Sequence, residues 1–428
     1  MKSSVSSPIP SRITAEIGLT LSLVKLIQTL CLLAAVACTH ALAADKKPLK
    51  IFILAGQSNM QGHAKVGTFE HIGMDDATKP MLALMTGAGG QPAVCARVWI
   101  SALGCGKDDR EEKTGKLTAG FGASAEKIGP EFTFGLYTEK LSGGPVLLIK
   151  TAWGGKSLNT DFRSPSAGSY VFNETQLANF QKQGKDVAAM QAEKAKATGV
   201  YYRLMIEHVK KVLADIKRVV PDYDPAQGFE LAGFAWVQGW NDMVDSGVYP
   251  RRDQPGGYEA YSTVLAHFIR DVRKELNAPK LPFAIGVMGV GGPTAAYGPD
   301  EQRYKATHQN FRDAMAAPAK LPEFQGNVAA VLMEKYWDLE LKAARKKDAD
   351  LKEQAKKQAK DGKLKPAEEK AALDKIRASG LTERERKILE VGVSNAEFHY
   401  LGSAKILGGV GKGLAEALAE LNQLRVVK

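Results

Sequence analysis

The sequence predicts an α/β domain built on a doubly wound, mostly parallel sheet. Two observations carry that expectation. Short, near-continuous apolar runs at 49–54, 145–150 and 229–237 have the composition of strands covered on both faces. Between such runs lie segments with apolar residues at helical spacing, as in Val200, Leu204, Ile206, Val209 and Leu213. Strands that alternate with helices mark this class.

Taken in order, the chain opens on a segment that reads as an export signal. Lys2, Arg12 and Lys25 precede or abut an apolar run over 26–37, and Ala41-Leu42-Ala43 has the small-x-small form of a cleavage site. Residues 1–43 are therefore expected to be removed, with lipoprotein processing at Cys38 as the alternative. The remainder, 44–428, reads as one domain. Its first strand is 49–54. The region 61–128 lacks sustained periodicity and is expected to form an extended insertion. Of the four cysteines, Cys95 and Cys105 follow the signal, and an oxidising compartment predicts a local disulfide between them. Gly129-Pro130 opens a helix, with proline near its start. A strand at 145–150 follows, then a helical pattern over 176–217 and a strand at 229–237. A long amphipathic helix at 258–276 carries Tyr261, Val264, Phe268, Ile269 and Val272 on one side. Further strands are expected at 282–290 and within 328–337. The Ala/Lys/Glu-rich run 339–388, broken at Asp361-Gly362-Lys363 and Ser379-Gly380, predicts a charged helical hairpin that projects from the domain. A helix over 403–424 ends the chain.

The formal charge is +11, and much of it sits in the lysine-rich run, where acids are interspersed. That pattern fits a solvated helical face. No basic segment is interleaved with stacking aromatics, so nucleic acid is not an expected partner. After the signal, no stretch is long and apolar enough to span a bilayer. Neither remaining cysteine has the histidine and acidic neighbours of a metal site.

The chemistry-bearing motif is Gly56-Gln57-Ser58-Asn59-Met60. A buried strand ends there and delivers a hydroxyl onto a turn, which fixes its position and exposes its oxygen. A hydroxyl needs a positioned base to act as a nucleophile. His399 is the candidate, and His63, close to Ser58 in sequence, competes with it. Open α/β sheets bind ligands beyond the carboxyl ends of their strands. Ser58, Gly154-Gly155 and Gln238 each follow a predicted strand, so they point to one rim.

Four segments in order resemble a known family. They are Gly56-Gln57-Ser58-Asn59-Met60 with Gly62, Trp153-Gly154-Gly155-Lys156-Ser157, Trp236-Val237-Gln238-Gly239-Trp240-Asn241-Asp242, and Glu397-Phe398-His399-Tyr400-Leu401-Gly402. Together they are similar to the SGNH hydrolases, specifically the sialate O-acetylesterase-like branch that includes carbohydrate acetyl esterases. The resemblance implies a flavodoxin-like three-layer α/β/α sandwich with a parallel sheet. It implies a serine esterase that removes O-acetyl groups from a sugar or polysaccharide, here exported, without metal or organic cofactor. Ser58 would be the nucleophile and His399 the base. The backbone N–H of Ser58, the N–H of Gly154 or Gly155 and the Gln238 amide would form the oxyanion hole. Asn59, Trp153, Lys156, Trp240 and Asn241 are expected to contact substrate.

Two departures stand out. The family's Asp three residues before the histidine is Ala396 here, and its Gln-Gly-Glu block reads Gln238-Gly239-Trp240. Asp242 and Glu397 are the candidates for orienting His399, with Asn395 and a backbone carbonyl also open. The lost acids keep a second reading in play, a weak or inactive glycan-binding protein on the same fold.

Overall fold

The computed structural model describes residues 47–423. The expected signal at 1–43, with Cys38, lies outside the described residues. From Pro48 onward the chain clusters as one unit. Its centre is a seven-stranded sheet of β1 (Leu49–Gly56), β2 (Val98–Leu103), β3 (Glu112–Lys116), β4 (Val146–Ala152), β5 (Phe229–Val237), β6 (Phe283–Val287) and β7 (Val328–Leu332), in the spatial order β3-β2-β4-β1-β5-β6-β7. All neighbours run parallel except the edge pair β2–β3.

Helices cover both faces. On one side, α2 (Glu131–Ser142) and α9 (Ala404–Leu421) pack on each other, with Phe134 against Phe52 of β1. Gly233 of β5 faces this layer, where a Cβ would lie 2.8 Å from Leu418. On the other side, α3 (Val200–Ala214) and α4 (Glu259–Glu275) meet through Tyr202 and Phe268, and Phe268 packs on Phe234 and Trp236. Alternate residues of one strand thus serve opposite layers, as the pleat requires. This is the three-layer sandwich expected from the sequence.

The region 61–128 is more integral than an insertion. It supplies β2, which pairs in parallel with β4 and is buried along its whole length. The same strand overturns the expected disulfide. Cys95 precedes β2 and Cys105 follows it, and both are free thiols. At about 3.3 Å per residue, a six-residue strand holds its flanks roughly 17 Å or more apart. A disulfide needs Cα atoms within about 7 Å. The helical pattern at 176–217 is three helices, Glu174–Lys182, Val187–Ala197 and α3, with Gly184 and Gly199 at the breaks.

The charged run forms α6 (Leu339–Asp361), α7 (Pro366–Gly380) and α8 (Glu383–Val391), after α5 (Gln302–Ala316). Asp338 caps α6 by accepting from the Leu341 N–H at 2.9 Å. Arg377 of α7 grips Asp348 of α6 with two hydrogen bonds of 2.6 and 2.9 Å, clamping the hairpin.

Beneath the sheet's carboxyl rim lies one fully buried ion pair. Lys150 of β4 donates to Glu131 at 2.8 Å, and both side chains are 0% exposed. The ammonium also donates to the carbonyls of Gln61 (2.9 Å) and Phe121 (2.7 Å), so all three of its N–H bonds are used. Glu131 in turn accepts from the Gly129 N–H at 2.9 Å. Removing one partner of such a pair leaves an uncompensated buried charge. Lys150→Met is expected to lower the unfolding free energy by about 3–5 kcal/mol in denaturant titration, with part of the loss restored by adding Glu131→Leu.

Candidate active site

β1 lies between β4 and β5, with Gly56 level with Ala152 on one side and Val237 on the other. The order in which strands are added reverses here, because β2 and β4 build outward on one flank and β5 to β7 on the other. Ligand sites of doubly wound sheets sit at such switch points. The Gln57 N–H donates to Val237 O and the Trp153 N–H donates to Gly56 O, each at 3.2 Å. These two bonds lash the three strand exits together. Gly56 is required by the closeness, since a Cβ there would lie 2.0 Å from Val237 O.

The chain then turns into the short helix α1 (Ser58–Gln61). Gln57 caps it with its side-chain oxygen, which accepts from the Asn59 N–H at 2.8 Å and from Ser58 Oγ at 2.5 Å. Ser58 is half-buried, and no described acceptor takes its backbone N–H. Gly62 leaves the turn at φ +93°, where a Cβ would lie 2.1 Å from Gly129 Cα, so glycine alone fits. The Gly154 backbone stands beside Ser58: a Cβ on Gly154 would lie 4.0 Å from Ser58 Cβ and 3.3 Å from Gln61 Oε1. The N–H groups of Gly154 and Gly155 are likewise not taken by described acceptors, and both residues are exposed.

His399 reaches this rim from the far end of the chain. The turn Glu397–Gly402 packs against α1. Behind His399, Tyr400 (φ +52°), Leu401 (φ +60°) and Gly402 (φ +56°) are consecutive left-handed residues. Two of them carry side chains, which costs on the order of 1–3 kcal/mol each and persists only where surroundings impose it. They do so here. The N–H groups of Ser394 and Asn395 both donate to Leu401 O, at 2.9 and 3.0 Å. Ser394 Oγ donates to Gly402 O at 2.7 Å, and Tyr400 Oη accepts from the Gly289 N–H at 2.9 Å.

The orienting partner of His399 is Asn395. Its Oδ1 lies 2.9 Å from His399 Nδ1 and also accepts from the Ala396 N–H at 2.7 Å. The second bond identifies that atom as the amide oxygen, so Nδ1 carries the proton and Nε2 keeps its lone pair. On its face, His399 stacks on His63 with ring centroids 3.9 Å apart and planes 4° from parallel. Phe398 stacks on Trp240 at 5.7 Å, forming an aromatic wall next to the histidines. Burial lowers the His399 pKa to about 4, with Lys127 adding to the effect, so the ring is neutral at ordinary pH.

Several expectations change. Glu397 is exposed and faces Arg345 at 3.4 Å, away from the histidine it was expected to orient. Asp242 is a buried anchor. Its carboxyl accepts from the N–H groups of Leu158 (2.8 Å) and Asn159 (3.0 Å), from Gln238 Nε2 (2.5 Å) and from Tyr249 Oη (3.2 Å). Burial pushes this carboxyl up to about 6, and those hydrogen bonds oppose the rise. Gln238 spends its two amide N–H bonds on Asp242 and on Lys156 O (3.2 Å), leaving none for an oxyanion. Trp153 is only 1% exposed and donates to Asp109 O at 2.9 Å, so it supports the loop from beneath. Asn59 is buried next to Ser58 with its Oδ1 unpaired among the described residues. Lys156 lies over the Tyr201 ring at 4.1 Å, and Asn241 is half-buried at the rim beside Trp240. Another serine–histidine contact, Ser101 to His208 at 2.9 Å, is buried between β2 and α3 and serves packing. Among the described residues no cluster suited to a metal ion is found, and no helix is long and apolar enough to cross a membrane.

The profile of one family, carbohydrate esterase, sialic acid-specific acetylesterase, matches residues 48–317. The chain belongs to that family. The sialic acid-specific acetylesterase match spans the Ser58, Gly154 and Gln238 segments and ends before His399. Membership in this acetylesterase family supports an esterase with an acetylated carbohydrate as substrate. Two solved structures are similar. A protein from Arabidopsis thaliana shares 17% identity over 66% of this chain and 85% of its own, with a TM-score of 0.35. A carbohydrate acetylesterase from Xanthomonas citri shares 14% over 68% of this chain and 51% of its own, with a TM-score of 0.37. No curated protein sequence matches significantly.

Asp242 ties the Gly154 loop to the exit of β5, and its loss strands two buried N–H groups. Asp242→Ala is expected to cost about 3–5 kcal/mol in denaturant unfolding, more than a typical single substitution.

Proposed function

We propose that this protein is an exported serine esterase that removes O-acetyl groups from a sugar or polysaccharide, with Ser58 as nucleophile and His399 as base. The observation that carries the reading is the tautomer of His399. With Nδ1–H held by Asn395, the basic Nε2 is free at the rim that also carries the serine. In the first half-reaction Ser58 Oγ bonds to the acetyl carbonyl carbon while its proton passes to His399 Nε2. Collapse of the tetrahedral intermediate breaks the bond to the sugar oxygen, which takes that proton. Water, deprotonated by the same nitrogen, then releases acetate and regenerates Ser58. The N–H groups of Ser58 and Gly154 stand beside the nucleophile as donors for the oxyanion, in keeping with backbone oxyanion holes. Trp240 and Phe398, the latter 40% exposed, offer ring faces on which a sugar can stack. Export is supported by the basic and apolar pattern of the first 43 residues and their small-x-small site.

One observation favours the second reading, glycan binding without turnover. The Ser58 hydroxyl donates to Gln57, so it must rotate before it can give its proton to a histidine. Hydrolysis decides between the two. The wild-type protein is expected to release acetate from p-nitrophenyl acetate and from an acetylated sugar, and Ser58→Ala to reduce kcat by at least about a thousandfold. Equal slow rates for the two proteins would leave binding as the function. Because His399 must be neutral to act, kcat/KM is expected to hold from pH 8 to near 5 and halve at about 4. An acid limb centred near 6.5 would contradict the burial of the base.

A further inference from the structure

The stacked ring of His63 has no part in the proton transfers above, yet it is the closest aromatic neighbour of the proposed base. His63 leaves the same turn as Ser58 and belongs to a different element from His399. Its face therefore ties the nucleophile's turn to the base's turn. The Ser394 hydroxyl reinforces this junction, accepting from the Lys65 N–H at 3.1 Å just past His63. The His63 ring is held by stacking: its Nδ1 is buried and has no hydrogen-bond partner among the described residues.

We propose that His63 is a positioning residue for the esterase reaction, holding the His399 ring plane and offering a neutral π face to the imidazolium that forms there. The proposal rests on Ser58 and His399 being the reacting pair. Its physical ground is the missing acid. In a serine–histidine–aspartate triad the carboxylate both orients the imidazole and stabilises its charged form. Asn395 can orient the ring through Nδ1–H, but it is neutral, and the position three residues before the histidine is Ala396. A cation is attracted to a neutral aromatic face, and more strongly where water is excluded. A ring parallel to His399 at 3.9 Å is placed to supply that attraction when His399 takes the serine proton.

The arrangement works only while His63 stays neutral, because two stacked imidazoliums repel. Burial lowers the His63 pKa to about 4, and His399, Lys127 and Lys150 all push the same way. Lys127 comes from the strand pair Ala64–Lys65 with Lys127–Ile128, and Lys150 from β4. From the turn that carries His399, the neighbours are neutral: Asn395 at its edge and Phe398 beside it, at 4.4 Å between centroids.

The test is steady-state hydrolysis of p-nitrophenyl acetate across pH 3.5–9 by the full chain and its variants, with melting curves on the same preparations. His63→Ala is expected to lower kcat by about ten- to a hundredfold with KM changed less than about twofold. His63→Phe, which keeps a neutral ring face, should recover most of the lost kcat. His63→Gln, polar but without a ring, should behave as the alanine variant, and it keeps the test open if the alanine variant does not fold. Wild-type kcat in all three variants would overturn the proposal. So would equal losses in the Phe and Ala variants. Ser58→Ala and His399→Ala run alongside as separate controls. If either retains wild-type activity, the reacting pair itself is wrong, whatever the His63 variants do.

Discussion

The candidate site depends on the close parallel packing of three strand exits. Gly56 ends β1 level with the ends of β4 and β5, near enough to Val237 O that no side chain fits between them. From that point Gln57 and Trp153 each donate one N–H across to the neighbouring strand. The serine turn, the double-glycine loop and the Gln238 segment are thereby fixed relative to one another before any substrate arrives. Catalytic groups must be held to within a fraction of an ångström to be effective. Here the rigidity is supplied by the sheet, then extended downward by the Lys150–Glu131 pair and sideways by Asp242.

The far side of the site is assembled differently. His399 arrives on a strained turn after the charged helical hairpin, and its position is set by local bonds within 394–402 and by contacts with α1. The usual carboxylate is absent, and a neutral amide takes over its orienting role. That exchange keeps the tautomer and gives up the charge. Losing only the charge is milder than losing the tautomer, because an asparagine presenting its N–H to Nδ1 would leave the proton on Nε2, the atom that must accept one. The Ala396 N–H bond to Asn395 Oδ1 prevents that flip.

Much of the fold was legible from periodicity alone. β1, β4 and β5 appear in the sequence as apolar runs that end within two residues of their observed limits, because both of their faces are covered. β2 was hidden although Val98-Trp99-Ile100-Ser101-Ala102-Leu103 is apolar enough, since the polar, glycine-rich stretches around it suggested an irregular segment. Missing that strand led directly to the disulfide error, as sequence separation says nothing about whether the intervening chain is extended. At the site, the strand-exit motifs could be read, while side-chain roles could not. Asp242 stood out as the acid nearest the Gln238 block, but only its burial and four donors reveal an anchor. Trp153 has the composition of a sugar platform and the burial of a core residue. Asn395 lies four positions before His399, and the turn closed by the His399 N–H to Ala396 O brings its oxygen onto the ring.

The most direct measurement is the site and pH dependence of labelling by diisopropyl fluorophosphate, read by peptide mass spectrometry. A single adduct on the peptide that carries Ser58 is expected, with a rate that falls below about pH 4 and is lost in His399→Ala. An adduct on a different serine, or undiminished labelling of Ser58 without His399, would show that these two side chains do not act as one unit.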